Sequence, residues 1–225
     1  MAQIRTLVAK QRAFSLNAFG KHTVTTGVHA HLLKEIDEVR NDSSDLTEWA
    51  DCFILIMDGA HRSCDSSHVA AIHLTEQVRH AASRKNAQTL DELEALVQEA
   101  SEGDLKNPHT WAVFARNLLS VARRVENIHP MRLYDAVNEK ISVNMDREWG
   151  DVSKQDPSKP IEHKRTGEEQ ARKVAEGIGE ALSRTKQKEL APVPEENTDP
   201  KPEPKPKPKK TPAKPRAKKK APVKK

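Results

Sequence analysis

Two pairs of acidic residues with the same spacing are the first feature of this sequence that could do chemistry. Glu35 and Glu38 lie three residues apart, and so do Glu48 and Asp51. In a helix this spacing places both members of a pair on one face. Carboxylates held close together raise one another's pKa and oppose folding unless a cation neutralises them. Oxygen ligands on rigid helices suit Mg²⁺ or Mn²⁺, and two such ions could hold a polyphosphate and orient a water.

A single acidic pair is weak evidence for a site, because the chain has 33 acidic residues and such a pair often marks only a solvated helix face. Here, however, the two pairs stand beside large apolar residues such as Trp49 and Phe53. Carboxylates so close to a core require partners, which favours a metal site over solvated surface.

Hydrophobic spacing predicts that the two pairs lie on neighbouring helices. Apolar residues recur at helical intervals over about residues 25–41 and again over about 46–62. Asp42, Ser43 and Ser44 lie between these stretches and favour a turn and an N-cap. Because the connection is so short, the two helices must lie antiparallel, and the four carboxylates can face each other across the hairpin.

Further helices are predicted on both sides of this hairpin. They cover about residues 1–16, 67–83, 89–100, 108–125, 130–149 and 167–190. Aromatic residues make up only 4% of the chain and there are 8 glycines, which disfavours a β-sandwich or barrel. The sequence therefore predicts an all-α fold.

The net charge of +5 is unevenly distributed along the chain. Residues 201–225 contain 12 Lys and Arg against one Glu, whereas residues 1–200 contain 26 basic and 32 acidic residues. Ten of the 14 prolines fall within residues 192–225, and alternating Lys and Pro leave almost no apolar surface to bury. We expect a disordered basic tail that could contact nucleic acid without reading its sequence.

Nothing in the sequence predicts a membrane or secreted protein. No apolar run approaches the ~18 residues that cross a bilayer, and the N-terminus lacks the apolar stretch of a signal peptide. The two cysteines, Cys52 and Cys64, fit neither a disulfide framework nor a closely spaced metal pair. We expect a cytoplasmic protein.

The acidic pairs are also part of a longer pattern. The arrangement Glu35-x-x-Glu38, nine residues, then Glu48-x-x-Asp51 resembles the signature of the MazG-like all-α nucleoside triphosphate pyrophosphohydrolases. Other motifs resemble the phage-type dATP/dGTP diphosphohydrolase branch, which includes the MazZ-like enzymes. These motifs are Phe19-Gly20, Thr26-Gly27-Val28, His31, Lys34, Asp45-Leu46, Met57-Asp58-Gly59-Ala60, Arg62, Lys140, Asn144, Arg147 and Trp149.

The resemblance covers about residues 12–63 and 129–165 and implies an activity. Purine deoxynucleoside triphosphates, dGTP and dATP, would be hydrolysed to the monophosphate and pyrophosphate. The resemblance places two or more Mg²⁺ or Mn²⁺ ions on Glu35, Glu38, Glu48 and Asp51. It implies substrate binding by Lys34, Lys140, Asn144 and Arg147. The last three stand at i, i+4 and i+7 on one helix face, a stripe that without the family context would be ordinary solvated surface.

The resemblance also divides the chain. Residues 1–63 and 129–166 would form the pyrophosphohydrolase core, with a helical insertion at 64–128, a polar helix at 167–191 and the disordered tail at 192–225. Enzymes of this kind are commonly homo-oligomers. In a phage whose genome uses 2-aminoadenine, the enzyme would supply dGMP and deplete dATP in the host cytoplasm.

The alternative is a nucleic-acid-binding protein that acts through its basic tail and carries a catalytically inert MazG-like scaffold. The absence of a recognition motif and the acidic character of residues 1–200 speak against it. An inert scaffold would also be expected to lose at least one metal-binding acid, yet all four are present.

Overall fold

A computed structural model describes residues 2–21 and 23–147, together with Trp149, Asp156 and Lys159. The predicted polar helix at 167–191 and the tail at 192–225 lie outside these residues. Within them the chain forms helices and no strand, which confirms the all-α prediction.

Seven α-helices and one short 3₁₀ helix make up the described part of the chain. They are α1 (Ala2–Phe19), α2 (Thr26–Asn41), α3 (Leu46–Cys64), α4 (Ser67–Val78), α5 (Leu90–Gln98), the 3₁₀ helix (Asp104–Lys106), α6 (Pro108–Val125) and α7 (Pro130–Asp146). Among these residues, no helix combines the length and the hydropathy that crossing a membrane requires.

The helix α1 is longer than predicted, because glycine rather than the preceding polar residues ends it. Gly20 has a φ of 73°, in the left-handed region that glycine adopts without a steric penalty. Its N–H donates to the carbonyl of Leu16 at 3.0 Å, which satisfies one of the last helical acceptors.

The helices α4 and α7 are shorter than predicted, and side chains bind backbone carbonyls at or just beyond their ends. After α4, the Asn86 amide donates to the carbonyls of His80 and Ala81 at 2.7 and 3.0 Å. After α7, the Trp149 indole N–H donates to the carbonyl of Asn144 at 3.0 Å. Such side-chain contacts compete with continuation of the helix.

The turn between α2 and α3 is fixed from both ends. Asp45, rather than a residue of the predicted 42–44 turn, caps α3, and its Oδ1 accepts from the Thr47 N–H at 2.8 Å. The indole N–H of Trp49 donates to the carbonyl of Ser43 at 2.8 Å. Because α2 and α3 pack together across this short turn, they form the predicted antiparallel hairpin.

The helix α3 lies at the centre of the fold and contacts α1, α2, α4, α6 and α7. Residues 64–128, the predicted insertion, supply α4, α5 and α6, and their apolar side chains join the same core. Trp111 of α6 lies in one cluster with Trp49 and Phe53 of α3. The added helices therefore pack against the acidic hairpin, and burial of these aromatic rings stabilises the contact between α3 and α6.

The close approach of Trp111 on α6 to Gly59 on α3 predicts that Gly59→Ala destabilises the fold. A Cβ at Gly59 would lie 2.4 Å from three carbons of the Trp111 ring, which is fully buried. We expect this change to lower the free energy of unfolding by about 1–3 kcal/mol, as overpacking of a rigid core usually does. Chemical denaturation followed by circular dichroism measures it.

Gly103→Ala is the matched control for this change. A Cβ there meets only the Ser101 Oγ at 3.6 Å, so the free energy of unfolding should shift by no more than about 0.5 kcal/mol. Equal stability of the two variants would show that the contact between α3 and α6 is not tight.

Candidate active site

Three of the four predicted metal-binding acids converge between α2 and α3. One carboxylate oxygen each from Glu35, Glu38 and Glu48 lies within 4.8 Å of the others. Glu35 is buried, whereas the other two are half-buried. We call these three residues the glutamate cluster. Their oxygens are close enough to bind one cation together, and hard oxygen ligands of this kind favour Mg²⁺ or Mn²⁺.

Two cationic or polar side chains of α2 lie beside the glutamate cluster. The His31 ring nitrogen Nε2 lies 2.8 Å from Glu35 Oε1, so an N–H on this nitrogen donates to the buried carboxylate. Lys34, a predicted substrate-binding residue, places its Nζ 3.7 Å from Glu38 Oε1. The histidine contact fixes the orientation of the innermost carboxylate.

The fourth acid, Asp51, pairs with a cation from another helix. Its Oδ2 lies 2.6 Å from the Nζ of Lys140 on α7, and both side chains are mostly shielded from solvent. The structure thus brings Lys140 to the predicted acidic site, but gives it a carboxylate as a partner. Among the described residues, Asp51 is not one of the carboxylates that converge within the glutamate cluster.

Burial and mutual repulsion perturb the two acids of α3. Burial, with help from the charges of Glu38 and Asp51, raises the pKa of Glu48 to about 7. Burial also raises the pKa of Asp51 to about 6, although the charge of Lys140 opposes this shift. In the absence of a bound cation, these two acids therefore ionise at a higher pH than ordinary carboxylates.

The end of α7 brings the other predicted substrate-binding residues together. Arg147, which caps the helix in an extended conformation, donates from Nη1 to the Oδ1 of Asn144 at 2.9 Å. Asn144 is buried. The positive charge of Arg147 also opposes the rise in the pKa of Asp51, so the guanidinium lies within electrostatic reach of the acidic hairpin.

An internal ion network on α3 ties the hairpin to α1. The buried Asp58 accepts from Arg62 Nε at 2.7 Å and contacts His61 Nε2 at 2.9 Å. Arg62 also donates to the Oγ of Ser15 at 3.1 Å. Burial alone would raise the pKa of Asp58, but the charge of Arg62 and the contact with His61 outweigh it and hold that pKa well below its usual range.

Aromatic rings join the ends of α1 and α7 next to this network. The ring centroids of Phe19 and Trp149 lie 4.8 Å apart and nearly perpendicular, and Phe14 lies 5.5 Å from both. The guanidinium of Arg62 lies 5.9 Å from the centroid of the Phe19 ring. Edge-to-face packing of this kind fixes where the chain leaves α7.

Comparison with known proteins finds a family match for part of the chain. Residues 7–100 match the family model described as dATP/dGTP pyrophosphohydrolase. This segment, which is less than half of the chain, is similar to that family. No curated protein and no solved structure matches the chain significantly.

The family match confirms the resemblance to MazG-like enzymes and the expectation of a nucleoside triphosphate pyrophosphohydrolase. The matched segment begins in α1, contains the whole acidic hairpin and continues through α4 and α5. It therefore includes residues 64–100, which the sequence assigns to an insertion, and the boundaries of that insertion stay a prediction.

Two features of the site were missed at the level of sequence. The i, i+4 spacing of His31 and Glu35 was a usable signal for their contact, since such residues are neighbours on a helix. The pairing of Asp51 with Lys140 had no local signal, because it depends on how α7 packs against α3.

The raised pKa of Glu48 predicts how the stability of the metal-free protein depends on pH. The folded carboxyl keeps its proton up to about pH 7, whereas the unfolded one loses it near its ordinary pKa of 4.5. The folded state therefore binds more protons between these values, and the free energy of unfolding falls as the pH rises through this window. Thermal denaturation in EDTA at pH 5.5 and pH 8 measures it.

The variant Glu48→Gln isolates this contribution from the titration of histidines. It should raise the melting temperature at pH 8 in EDTA and reduce the loss of stability between the two pH values. If the variant melts lower than the wild-type protein at pH 8, the repulsion among these acids is not the dominant effect.

Proposed function

We propose that the protein hydrolyses dATP and dGTP to the monophosphates and pyrophosphate in a reaction that depends on Mg²⁺ or Mn²⁺. The glutamate cluster would hold one cation and Asp51 would contribute to a second. The observation that carries the proposal is the convergence of Glu35, Glu38 and Glu48 inside the segment that matches the pyrophosphohydrolase family.

The chemistry of the donor set supports a divalent cation. The cluster offers carboxylate oxygens alone, and burial together with the charges of Glu38 and Asp51 raises the pKa of Glu48. A bound divalent ion would compensate the charge of these carboxylates and stabilise the charge that develops on the phosphates. The rigid packing of α3 keeps the carboxylates from moving apart instead.

The other residues of the site suit a triphosphate. Lys140 and Arg147 on α7 bring positive charge towards the acidic hairpin, and Lys34 lies beside the glutamate cluster. We propose that these side chains bind the phosphates and stabilise the leaving pyrophosphate, as preorganised donors do in other hydrolases. The contact from His31 holds the carboxylate of Glu35 in place while the substrate binds.

We further propose that the enzyme supplies dGMP and depletes dATP in a phage that uses 2-aminoadenine. The resemblance to the phage-type branch supports this role. Measurement of deoxynucleotide pools in cells that express the protein tests it, and an unchanged dATP pool would contradict it.

Loss of one clustered carboxylate should abolish turnover. Glu48→Gln keeps the size of the side chain but removes an anionic ligand, so we expect hydrolysis of dGTP with Mg²⁺ to fall by at least about 100-fold. The matched control is Asp37→Asn on α2, an exposed acid that pairs with Arg40. Its activity should remain near that of the wild-type protein.

Circular dichroism of both variants shows whether the helices are intact. If Glu48→Gln stays folded and retains its activity, the assignment of the glutamate cluster to catalysis is wrong.

The position of bond cleavage distinguishes this activity from those of phosphatases. We expect water to attack the α-phosphorus, so that the bond from this phosphorus to the α,β-bridging oxygen breaks and pyrophosphate leaves in one step. In water enriched in ¹⁸O, mass spectrometry should find the label in dGMP or dAMP. Label in the pyrophosphate would mean attack at the β-phosphorus. Release of inorganic phosphate would mean a different class of hydrolase.

A further inference from the structure

Arg147, proposed above to bind phosphate, lies one residue beyond the end of α7. Its ψ of 148° is that of an extended chain, so the helix does not fix its backbone. An arginine side chain at such a position has many conformations, whereas a donor that must meet a phosphate works best when it is already held in place. Contacts outside the helix must therefore decide where the guanidinium lies.

Asn144 provides one such contact from inside the protein. Only 6% of this residue is exposed, and its side-chain Oδ1 accepts from Arg147 Nη1 at 2.9 Å. An amide packed in the interior has little freedom to move, so the guanidinium is tied to a fixed acceptor. The main-chain carbonyl of Asn144 accepts from the indole N–H of Trp149 at 3.0 Å. One buried residue thus joins Arg147 to Trp149.

Trp149 is itself held by side chains of other helices. Its ring centroid lies 4.8 Å from that of Phe19 and 5.5 Å from that of Phe14, both on α1. The guanidinium of Arg62 on α3 lies 5.9 Å from the centroid of the Phe19 ring, and the buried Asp58 accepts from Arg62 at 2.7 Å. Rings packed edge to face and a cation near a ring attract one another. The position of the indole is therefore determined by α1 and α3.

We infer that Trp149 is a positioning residue for Arg147: the rings of α1 hold the indole, and the indole fixes the end of α7 so that the guanidinium meets the phosphates. This inference rests on the proposed function, in which Arg147 binds the phosphates of the substrate. It goes further by assigning part of phosphate binding to a residue that acts through another one, and to a helix that carries none of the proposed ligands.

A purely structural role of the ring cluster predicts a different result. Loss of ring packing alone would lower the free energy of unfolding and leave the kinetics of the folded enzyme unchanged. Positioning instead predicts an effect on phosphate binding that requires Arg147 and disappears when Arg147 is absent. A double-mutant cycle separates these two roles.

Trp149→Phe is the most direct variant, because it keeps an aromatic ring next to α1 but lacks the N–H that binds Asn144. With dGTP and Mg²⁺, we expect kcat/KM to fall by about 10-fold, since displacing a positioned group is costly. The dissociation constant of inorganic pyrophosphate, measured by calorimetry with Mg²⁺, should rise by about 10-fold as well. When Arg147→Met is already present, adding Trp149→Phe should change neither quantity further.

Lys10→Met is the matched control for a general loosening of α1 from α7. Lys10 donates to Asn138 Oδ1 and Ser142 Oγ at 2.9 and 2.8 Å, so the variant removes a contact between the same two helices. It should leave kcat/KM and pyrophosphate binding unchanged. Phe19→Leu keeps the indole N–H but removes one ring that holds it, and it should act in the same direction as Trp149→Phe. Circular dichroism establishes that the helices of each variant are intact.

The outcomes distinguish this inference from the proposed function. Unchanged kinetics and pyrophosphate binding in Trp149→Phe, or an equal loss with and without Arg147, would overturn the inference and leave the proposed function standing. Unchanged values in Phe19→Leu would overturn the part assigned to α1. A wild-type protein that does not hydrolyse dGTP would contradict the proposed function, and the calorimetric cycle with pyrophosphate would then decide the inference by itself.

Discussion

Repulsion among carboxylates that cannot move apart is the constraint on which the site depends. Glu35 and Glu38 project from α2, and Glu48 and Asp51 project from α3 towards them. The hairpin cannot open to relieve this repulsion, because α3 is packed by other helices as well as by α2. The apolar core thus stabilises a charge arrangement that is unfavourable by itself.

The same packing determines which cationic side chains lie next to the acidic hairpin. The helix α7 begins at Pro130, far along the chain from the hairpin, yet it packs against both α1 and α3 and brings Lys140 to Asp51. At its end, the rings of Trp149 and Phe19 hold the departing chain against α1. The position of Lys140 therefore depends on tertiary contacts of α7 and not on the hairpin itself.

The sequence was informative where structure is local. Helical periodicity and one short connection were sufficient to predict the hairpin and the convergence of Glu35, Glu38 and Glu48 across it. The partner of Asp51 could not be predicted, because an ion pair between α3 and α7 depends on the relative rotation of two packed helices. The stripe of Lys140, Asn144 and Arg147 shares this limitation, since Asn144 is buried and the helix ends before Arg147.

The helices of residues 64–128 help to position the acidic hairpin through their packing against α3. Trp111 of α6 packs directly against Gly59, so α6 limits how far α3 can retreat from α2. A shift of α3 by a fraction of an ångström would change the separation of the clustered carboxylates, and with it both their repulsion and their fit to a cation. Because the same helix carries Asp58 in a network with Arg62 and Ser15, its position is fixed from α1 as well. Apolar packing of α1, α4 and α6 against α3 therefore determines how far apart the carboxylates of the acidic hairpin lie, and this separation determines how strongly they repel one another.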